Sequence, residues 1–132
     1  MKKITLILFS LFFSSLLFAQ EEESKIIASS FKKGDVEGIA LYFPGTLDMT
    51  VENAEDVFSK AQATQILNQF FKTNKPSDFL VKHKGASKGG DFYQIGTLKT
   101  SNRDFRVTFF LKKDGDNVFI KRLKIEENQG NF

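Results

Sequence analysis

Three side chains of this sequence, His83, Tyr42 and Tyr93, are candidates to move or hold a proton in an acid–base site. His83 is the single histidine, and a neutral imidazole in a pocket titrates near physiological pH. The two tyrosines are the only ones in the chain, and their hydroxyls could donate hydrogen bonds to a developing oxyanion. Together the three predict a candidate acid–base site, which is the enzymatic interpretation of the chain.

The same three residues also have a structural interpretation. His83 precedes the Lys84–Gly85 turn, where a strand-end histidine is partly exposed. Tyr42 and Tyr93 fit core aromatics whose hydroxyls reach a backbone carbonyl or the surface. An inward-facing carboxylate base is missing, because Asp48 alternates with apolar neighbours and points away from them. We therefore favour a non-catalytic interpretation.

Composition excludes several classes of site. The chain has 132 residues with 16 Phe, no Cys, one His and a formal charge of +3, which fits one compact domain. Without Cys there is no disulfide scaffold, iron–sulfur cluster or thiolate zinc site, and one His excludes a multi-His metal site. The glycines between Gly85 and Gly90 lie between strands, so they do not form a nucleotide-binding loop. We expect no metal and no cofactor.

The N-terminus has the pattern of an export signal. Lys2 and Lys3 precede an apolar run of about 15 residues, Ala19 offers a small residue for cleavage, and acidic residues follow at once. A membrane-spanning helix would need about 20 apolar residues. The sequence therefore predicts a signal peptide over residues 1–19 and a single domain over residues 20–132. This domain is expected to be periplasmic or secreted, with no membrane span after cleavage.

Apolar periodicity predicts three helices in the first half of that domain. A helix of about ten residues ends at Gly34. Asp35 caps a second helix, in which Val36, Ile39, Ala40 and Phe43 share a face. A capping box, Ser59 to Gln62, opens a third helix that closes near Asn74.

A two-residue periodicity predicts strands between and after these helices. Leu47–Val51 alternates as a half-buried strand, Val57–Phe58 fits a short strand, and four antiparallel strands follow from Ser77 onward. The predicted inward faces are Phe79, Val81 and His83; then Tyr93, Ile95 and Thr97; then Phe105, Val107, Phe109 and Leu111. Gly96 is expected at a bulge or a close approach. In the last strand Val118 and Ile120 are out of phase with Leu123 and Ile125, which predicts a bulge near Lys121–Arg122.

Charge is distributed unevenly along the domain. Residues 20–71 carry four basic and nine acidic side chains, whereas residues 72–124 carry thirteen basic and five acidic ones. The functional interpretation is a surface for an anionic ligand or an acidic partner. The structural interpretation, which we favour, is that these cations solvate the polar side of a sheet and protect its edges.

Four segments carry a family resemblance. They are Phe31-Lys32-Lys33-Gly34-Asp35-Val36, the helix from Ala61-Gln62-Ala63 to Phe70-Phe71, Val81-Lys82-His83-Lys84-Gly85, and Tyr93-Gln94-Ile95-Gly96-Thr97-Leu98. With the order of elements, they resemble exported Bacteroidota proteins of domain-of-unknown-function family 4783, in the nuclear-transport-factor-2-like superfamily. The resemblance implies an α+β cone in which three helices pack on a strongly bent, mainly antiparallel sheet. It implies no activity, since the superfamily includes isomerases, dehydratases, cyclases and binding modules.

The leading functional prediction is an exported non-catalytic binding module with a small apolar pocket between the third helix and the sheet. The predicted ligand contacts are Tyr42, Phe70, His83 and Tyr93, the ligand is small and apolar or anionic, and two copies pair through the outer sheet face. One alternative is an isomerase- or hydratase-like enzyme using His83 with Tyr42 or Tyr93. Another is an envelope interaction protein that uses a basic sheet face. We expect no nucleic-acid binding, because the Phe residues face inward.

Overall fold

The computed structural model describes residues 20–129. The predicted signal peptide, residues 1–19, and its cleavage site lie outside these described residues. Within residues 20–129 no helix is long and apolar enough to cross a membrane.

Three helices and six strands make up the described chain. Helix α1 covers residues 20–33, α2 is Val36–Ala40 and α3 is Lys60–Thr73. The strands are β1 (Thr46–Val51), β2 (Ala54–Ser59), β3 (Pro76–Ala86), β4 (Phe92–Thr100), β5 (Asp104–Asp114) and β6 (Asn117–Glu127).

All six strands form one sheet in the order β2-β1-β6-β5-β4-β3. Strands β3 to β6 are antiparallel neighbours, and β1 and β2 form an antiparallel hairpin. The hairpin joins the sheet through one parallel pairing, between β1 and β6. The sheet is therefore mixed but mainly antiparallel, with three helices packed on it, which confirms the predicted fold class.

Local sequence explains where the helices begin and end. Gly34 adopts a φ of 68° after α1, a conformation that glycine adopts without steric cost. The Asp35 carboxylate then accepts a hydrogen bond from the Gly38 N–H at 3.1 Å. At α3 the Ser59 hydroxyl accepts the Gln62 N–H and the Gln62 side chain accepts the Ser59 N–H, so the predicted capping box is confirmed.

Two helix lengths differ from the sequence prediction. Helix α1 has 14 described residues rather than about ten. Helix α2 ends at Ala40 rather than near Phe43, because the Tyr42 and Phe43 N–H groups donate to carbonyls three residues back, at Ile39 and Ala40. These tighter bonds turn the chain toward β1. They leave Phe43 only 5 % exposed, in the core.

The helices cover one face of the sheet, called here the inner face, and phenylalanine rings fill the space between. Phe31 of α1 contacts Phe79 at 5.8 Å, Phe109 at 6.3 Å and Phe71 at 6.2 Å between ring centroids. Phe70 of α3 meets a further ring, Phe105, edge-on at 4.8 Å. Each fully buried Phe contributes roughly 1.5–3 kcal/mol. Helices and sheet thus stabilise each other through shared rings.

Strand β4 faces the opposite way from the sequence prediction. Tyr93, Ile95 and Thr97 do share a face, but that face is the outer one. The inward residues are Phe92, Gln94, Gly96 and Leu98, which pair across β5 with the inward set Leu111, Phe109, Val107 and Phe105. Because β4 has apolar residues on both faces, alternation alone does not reveal which face the helices cover.

Two register shifts reorient side chains on the sheet. Lys121 of β6 is the extra residue between Ile120, which pairs with Leu111, and Arg122, which pairs with Phe110, so the predicted bulge is confirmed. A second shift, between Val81 and His83 in β3, was not predicted. It moves His83 to the outer face, because one extra residue inverts the alternation.

Gly96 is a point of close approach, as predicted. A Cβ at this position would overlap the Phe79 ring and lie 3.0 Å from the Leu80 carbonyl oxygen. The short strand predicted at Val57–Phe58 is longer than expected and begins at Ala54, because only Glu52 and Asn53 are needed to turn from β1 into β2.

Candidate functional site

Tyr42 lies on the helix-covered side, after α2. Its hydroxyl donates a short hydrogen bond to the Glu23 carboxylate of α1, and its backbone carbonyl accepts the Ile120 N–H of β6. Partial burial, reinforced by the hydrogen bond to the Glu23 carboxylate, raises the pKa of Tyr42 to about 12. The residue therefore joins α1 to the sheet as a neutral phenol.

His83 and Tyr93 lie on the other side of the sheet. His83 is opposite Ile95, and Tyr93 is opposite Phe110, whose ring centroid is 6.1 Å away. The Tyr93 ring also covers Gly85, since a Cβ there would lie 3.4 Å from it. The sheet thus separates these two side chains from Tyr42, and the convergence that the enzymatic interpretation required is not observed.

Phe70 is the predicted ligand contact that does border an opening. A groove of about 240 Å³ lies between α3 and the end of β1, and Phe70 is part of its wall although the residue is only 4 % exposed. A neighbouring groove of about 310 Å³ continues toward β2. The two share Ile66 and Gln69, so together they form one groove along α3, called here the α3 groove.

The α3 groove has an apolar floor and an almost uncharged rim. Its apolar residues are Val51, Phe58, Ile66 and Phe70. Its polar residues are Glu52, Gln62, Gln65, Gln69, Thr73 and Asn74. Glu52 is the one charged side chain among these lining residues. Such a lining suits a neutral ligand with an apolar part and several hydrogen-bonding groups.

Helix α3 fixes the position of this rim. Gln62, Gln65 and Gln69 follow one another at three- and four-residue spacing, which places them along one face of a helix. At the other end Asn74 is 2 % exposed, and its amide donates to the Phe70 carbonyl at 3.1 Å. The Asn74 side-chain oxygen accepts from the Asn102 amide at 3.1 Å. The C-terminus of α3 is therefore anchored to the β4–β5 loop.

The spacing of the three glutamines is the one sequence signal for this rim, and it was not among the predicted site features. Three glutamines at helical intervals on α3 look like an ordinary solvated helix face. Their function as a rim depends on the β1–β2 hairpin lying beside α3, and that position follows from the parallel pairing of β1 with β6. A pairing between strands so distant in sequence is not visible in local periodicity.

One buried polar atom on the inner face has no partner. Gln94 is 2 % exposed, and within the described residues its side-chain oxygen has no hydrogen-bond donor. Its neighbour across the ladder, Lys84, forms an ion pair with Glu21 of α1 at 2.6 Å. This hydrogen bond and the charge of Lys84 lower the pKa of Glu21 below its usual value. Among residues 20–129 no cluster of three or more His, Asp or Glu is arranged to hold a metal ion.

Comparisons with known proteins place this geometry in a family. The model of the family described as "Domain of unknown function (DUF4783)" matches residues 24–126. A DUF4783 family protein from Bacteroides ovatus is 30% identical over 79% of this chain and 94% of its own, with a TM-score of 0.72. One from Bacteroides uniformis is 26% identical over 80% of this chain and 96% of its own, with a TM-score of 0.73.

More distant structures share the fold alone. A putative dehydratase from the NTF2-like family of Streptomyces avermitilis is 10% identical over 83% of this chain and 94% of its own, with a TM-score of 0.61. No curated protein matches the sequence. The family match over residues 24–126 and the Bacteroides structures agree with the fold described above, and the chain belongs to the DUF4783 family, with an NTF2-like fold.

Proposed function

We propose that this chain is a non-catalytic binding module that holds a small neutral amphipathic molecule, such as a glycoside with an apolar aglycone, in the α3 groove. The observation that carries the proposal is the combination of an apolar floor and an amide rim along one side of α3. The sequence predicted a small pocket between the third helix and the sheet, whereas this proposal uses an open groove beside α3.

The apolar floor supports binding of a hydrocarbon or ring. Ile66 and Phe58 are half-buried and pack against the core, so a ligand lying on them would bury surface that is still partly in contact with water. Each square ångström of apolar surface removed from water contributes about 25 cal/mol. A ligand that covers a few of these side chains would therefore gain several kcal/mol before its entropic cost.

The rim supports a neutral rather than a charged head group. Gln65 and Gln69 offer both donors and acceptors, which matches hydroxyl groups that also donate and accept, whereas the Gln62 oxygen already accepts the Ser59 N–H. The one carboxylate, Glu52, would disfavour an anion by repulsion and would leave a cation with a single partner. Sugar hydroxyls fit this set of groups because each can pair with an amide without desolvating a charge.

The placement of the candidate acid–base residues supports a binding role over catalysis. General acid–base chemistry requires the participating groups within hydrogen-bond reach of one reacting centre. Here Tyr42 pairs with Glu23 on the helix-covered side, whereas His83 and Tyr93 lie on the outer face. Between the helices and the sheet, the Phe31 ring packs against Phe79 and Phe109.

We place this activity outside the cytoplasm, on the basis of the sequence pattern of residues 1–19. Mass spectrometry of the secreted or periplasmic protein would test this directly, with a mature N-terminus at Gln20 as the expected result. Pairing of two copies through the outer face likewise stays a prediction, and sedimentation velocity of the purified protein tests it.

Titration calorimetry with n-octyl-β-glucoside below its micellar concentration tests the binding role. We expect saturable binding to the wild-type protein, accompanied by a rise in Tm as ligand is added. The Ile66→Arg variant places a charged side chain on the groove floor, so its affinity should fall at least tenfold. Leu41→Arg is the matched control, because Leu41 is 77% exposed and does not line the α3 groove.

Two further measurements separate the parts of the proposal. Gln69→Ala removes the amide shared by both halves of the groove. It should weaken the binding of octyl glucoside more than the binding of 1-octanol, which lacks the sugar. Wild-type protein that binds neither compound, or Ile66→Arg protein that binds as tightly as Leu41→Arg, would contradict the proposed function.

A further inference from the structure

The outer face carries a row of side chains that run directly across four strands. Ladder pairing places Tyr93 of β4 opposite Phe110 of β5, Phe110 opposite Arg122 of β6, and Arg122 opposite Asp48 of β1. Directly opposed residues point to the same side of a sheet. An aromatic pair therefore lies beside a guanidinium group on the face that no described helix covers.

The bulge in β6 places a second cation beside Arg122. Lys121 is the extra residue, so it has no partner on β5, and its ammonium contacts the Asp91 carboxylate at 3.0 Å. Bulges often redirect a side chain at binding sites. In this chain the bulge brings two consecutive cations, Lys121 and Arg122, to the edge of one groove.

That groove has a volume of about 220 Å³ and is called here the bulge groove. It is lined by Phe110, Lys121 and Arg122 on the sheet and by Ser87, Gly89 and Asp91 from the β3–β4 loop. The loop is held by backbone hydrogen bonds from Ser87 N–H to the Asp91 carbonyl at 2.8 Å and from Gly90 N–H to the Ser87 carbonyl at 2.9 Å. It forms the wall opposite the two cations.

The local charge favours an anion. Lys121 and Arg122 line the groove with one carboxylate, Asp91, while Lys112 shares the outer face of β5 with Phe110 and Lys88 lies between two lining residues, Ser87 and Gly89. Arg122 also approaches Asp48, but at 3.6 Å, with both side chains 53% exposed. A pair this exposed contributes little to stability, so Arg122 can turn toward a ligand at small cost.

We propose that the bulge groove binds an anionic group attached to a planar ring, as in an aryl phosphate or an aromatic carboxylate. The guanidinium group of Arg122 can hold two oxygens of such an anion, and Lys121 adds a compact positive charge. Phe110 offers its ring for stacking against the ring of the ligand. This site lies on the face opposite the helices and does not depend on the α3 groove.

The side chains of the bulge groove contribute little to the stability of the fold. Arg122 and Lys121 are each about half exposed, and Phe110 is half-buried on a face with no covering layer. Substitutions at these cations should therefore change binding without unfolding the protein, because surface substitutions away from special features cost about 0.5 kcal/mol or less.

Titration calorimetry with phenyl phosphate at low salt tests the site. Benzoate provides the carboxylate arm, inorganic phosphate provides charge without a ring, and phenol provides a ring without charge. We expect phenyl phosphate or benzoate to bind at least tenfold more tightly than phosphate or phenol. Arg122→Met and Lys121→Met should each weaken that binding about tenfold, the effect of losing one charge-assisted hydrogen bond.

The control is Lys99→Met, which removes one positive charge from the outer face at the other end of β4, far from the bulge in β6. Lys99 pairs with Asp104 at 3.9 Å with both side chains 47% exposed, so its environment resembles that of Arg122. Equal weakening by Lys99→Met would mean a diffuse charge effect and would overturn the proposal. So would equal affinity for inorganic phosphate, or the lack of any aryl anion binding.

A second copy of the chain on this face is the competing occupant, and the same variants distinguish it. If Arg122→Met changes the sedimentation coefficient and aryl anions do not bind the wild-type protein, the face is an interface and the proposal is wrong. Binding of phenyl phosphate to a species of unchanged sedimentation coefficient supports it.

Discussion

The two faces of one sheet differ in what their side chains accomplish. On the inner face, Phe31 contacts three other rings, and all three belong to the core. On the outer face, Phe110 contacts Tyr93 at 6.1 Å and remains half-buried beside exposed cations. The same residue type thus stabilises the fold on one side and offers a binding surface on the other, and the covering helices make the difference.

The largest expected effect is on the free energy of unfolding, and it should differ between these two rings. Phe31→Ala should lower the free energy of unfolding by about 3–5 kcal/mol, because it leaves a cavity among packed rings. Phe110→Ala should cost about 1 kcal/mol, because water already reaches that ring. Urea denaturation of both variants provides the measurement. Equal losses would mean that the outer face is covered as thoroughly as the inner one.

A second prediction concerns the glycine on the inner face of β4. Gly96→Ala should cost about 1–3 kcal/mol, since the new methyl group overlaps the Phe79 ring and approaches the Leu80 carbonyl. Gly45→Ala is the control, because a Cβ there would meet nothing within 4 Å. Adding Phe79→Leu to Gly96→Ala should recover part of the loss. If both glycine variants are equally stable, the packing described around Gly96 is wrong.

A third prediction concerns Tyr42, which ties α1 to the helix-covered side of the sheet. Its raised pKa, about 12, means that the folded state keeps the phenol proton above the ordinary pKa of about 10. The stability that Tyr42 contributes is therefore complete below pH 10 and is lost as the pH rises from about 10 toward 12.

Substitution isolates this contribution. Tyr42→Phe should cost about 1 kcal/mol at neutral pH, since it removes a hydrogen bond to Glu23. It should also remove part of the alkaline loss of stability that the wild-type protein shows. In a Tyr93→Phe background, ultraviolet titration of the remaining tyrosine should show no ionisation at pH 10 while the fold is intact. Ionisation at pH 10 would contradict the contact with Glu23.

The smallest expected effect is the change in stability on replacing the Gln94 amide, which is compared with replacing a second buried amide, that of Asn74. Gln94→Met should leave stability unchanged or raise it by up to about 1 kcal/mol, because the replaced oxygen has no donor. Asn74→Leu should cost about 1–3 kcal/mol, because both ends of that amide are hydrogen-bonded. Thermal and urea unfolding give both values. A clear loss for Gln94→Met would mean that its oxygen has a partner, such as a buried water.

Much of the fold followed from local sequence, because caps and strict alternation act over a few residues. The Ser59–Gln62 capping box, the Asp35 cap, the inward face of β5 and the bulge at Lys121 are all confirmed. The predicted orientation of β4 was wrong because both faces of the strand are apolar, and only its pairing with β5 decides which face is inward.

The candidate site was less predictable, because it depends on contacts between distant segments. His83 lies on the opposite face from the predicted one because of a bulge between Val81 and His83, and the residues around it, Lys82, Lys84 and Gly85, give no periodicity signal. Phe70 borders an opening, but the rim of that opening depends on the hairpin that β1 brings next to α3, which local sequence does not reveal. Where no unpredicted bulge interrupts a strand, residues that share a face can be identified from sequence, whereas the element that covers the face is set by tertiary packing.

The most direct test of the account is a map of backbone amide chemical-shift changes during titration with octyl glucoside. If the inner face is a filled core and binding occurs along α3, the largest changes should lie at residues 62–74 and at Val51 and Glu52. Amides of Gln94 and Phe109, beneath α1, should remain unchanged. Largest changes at Gln94 and Phe109 would show that ligand enters between α1 and the sheet, and would contradict the account.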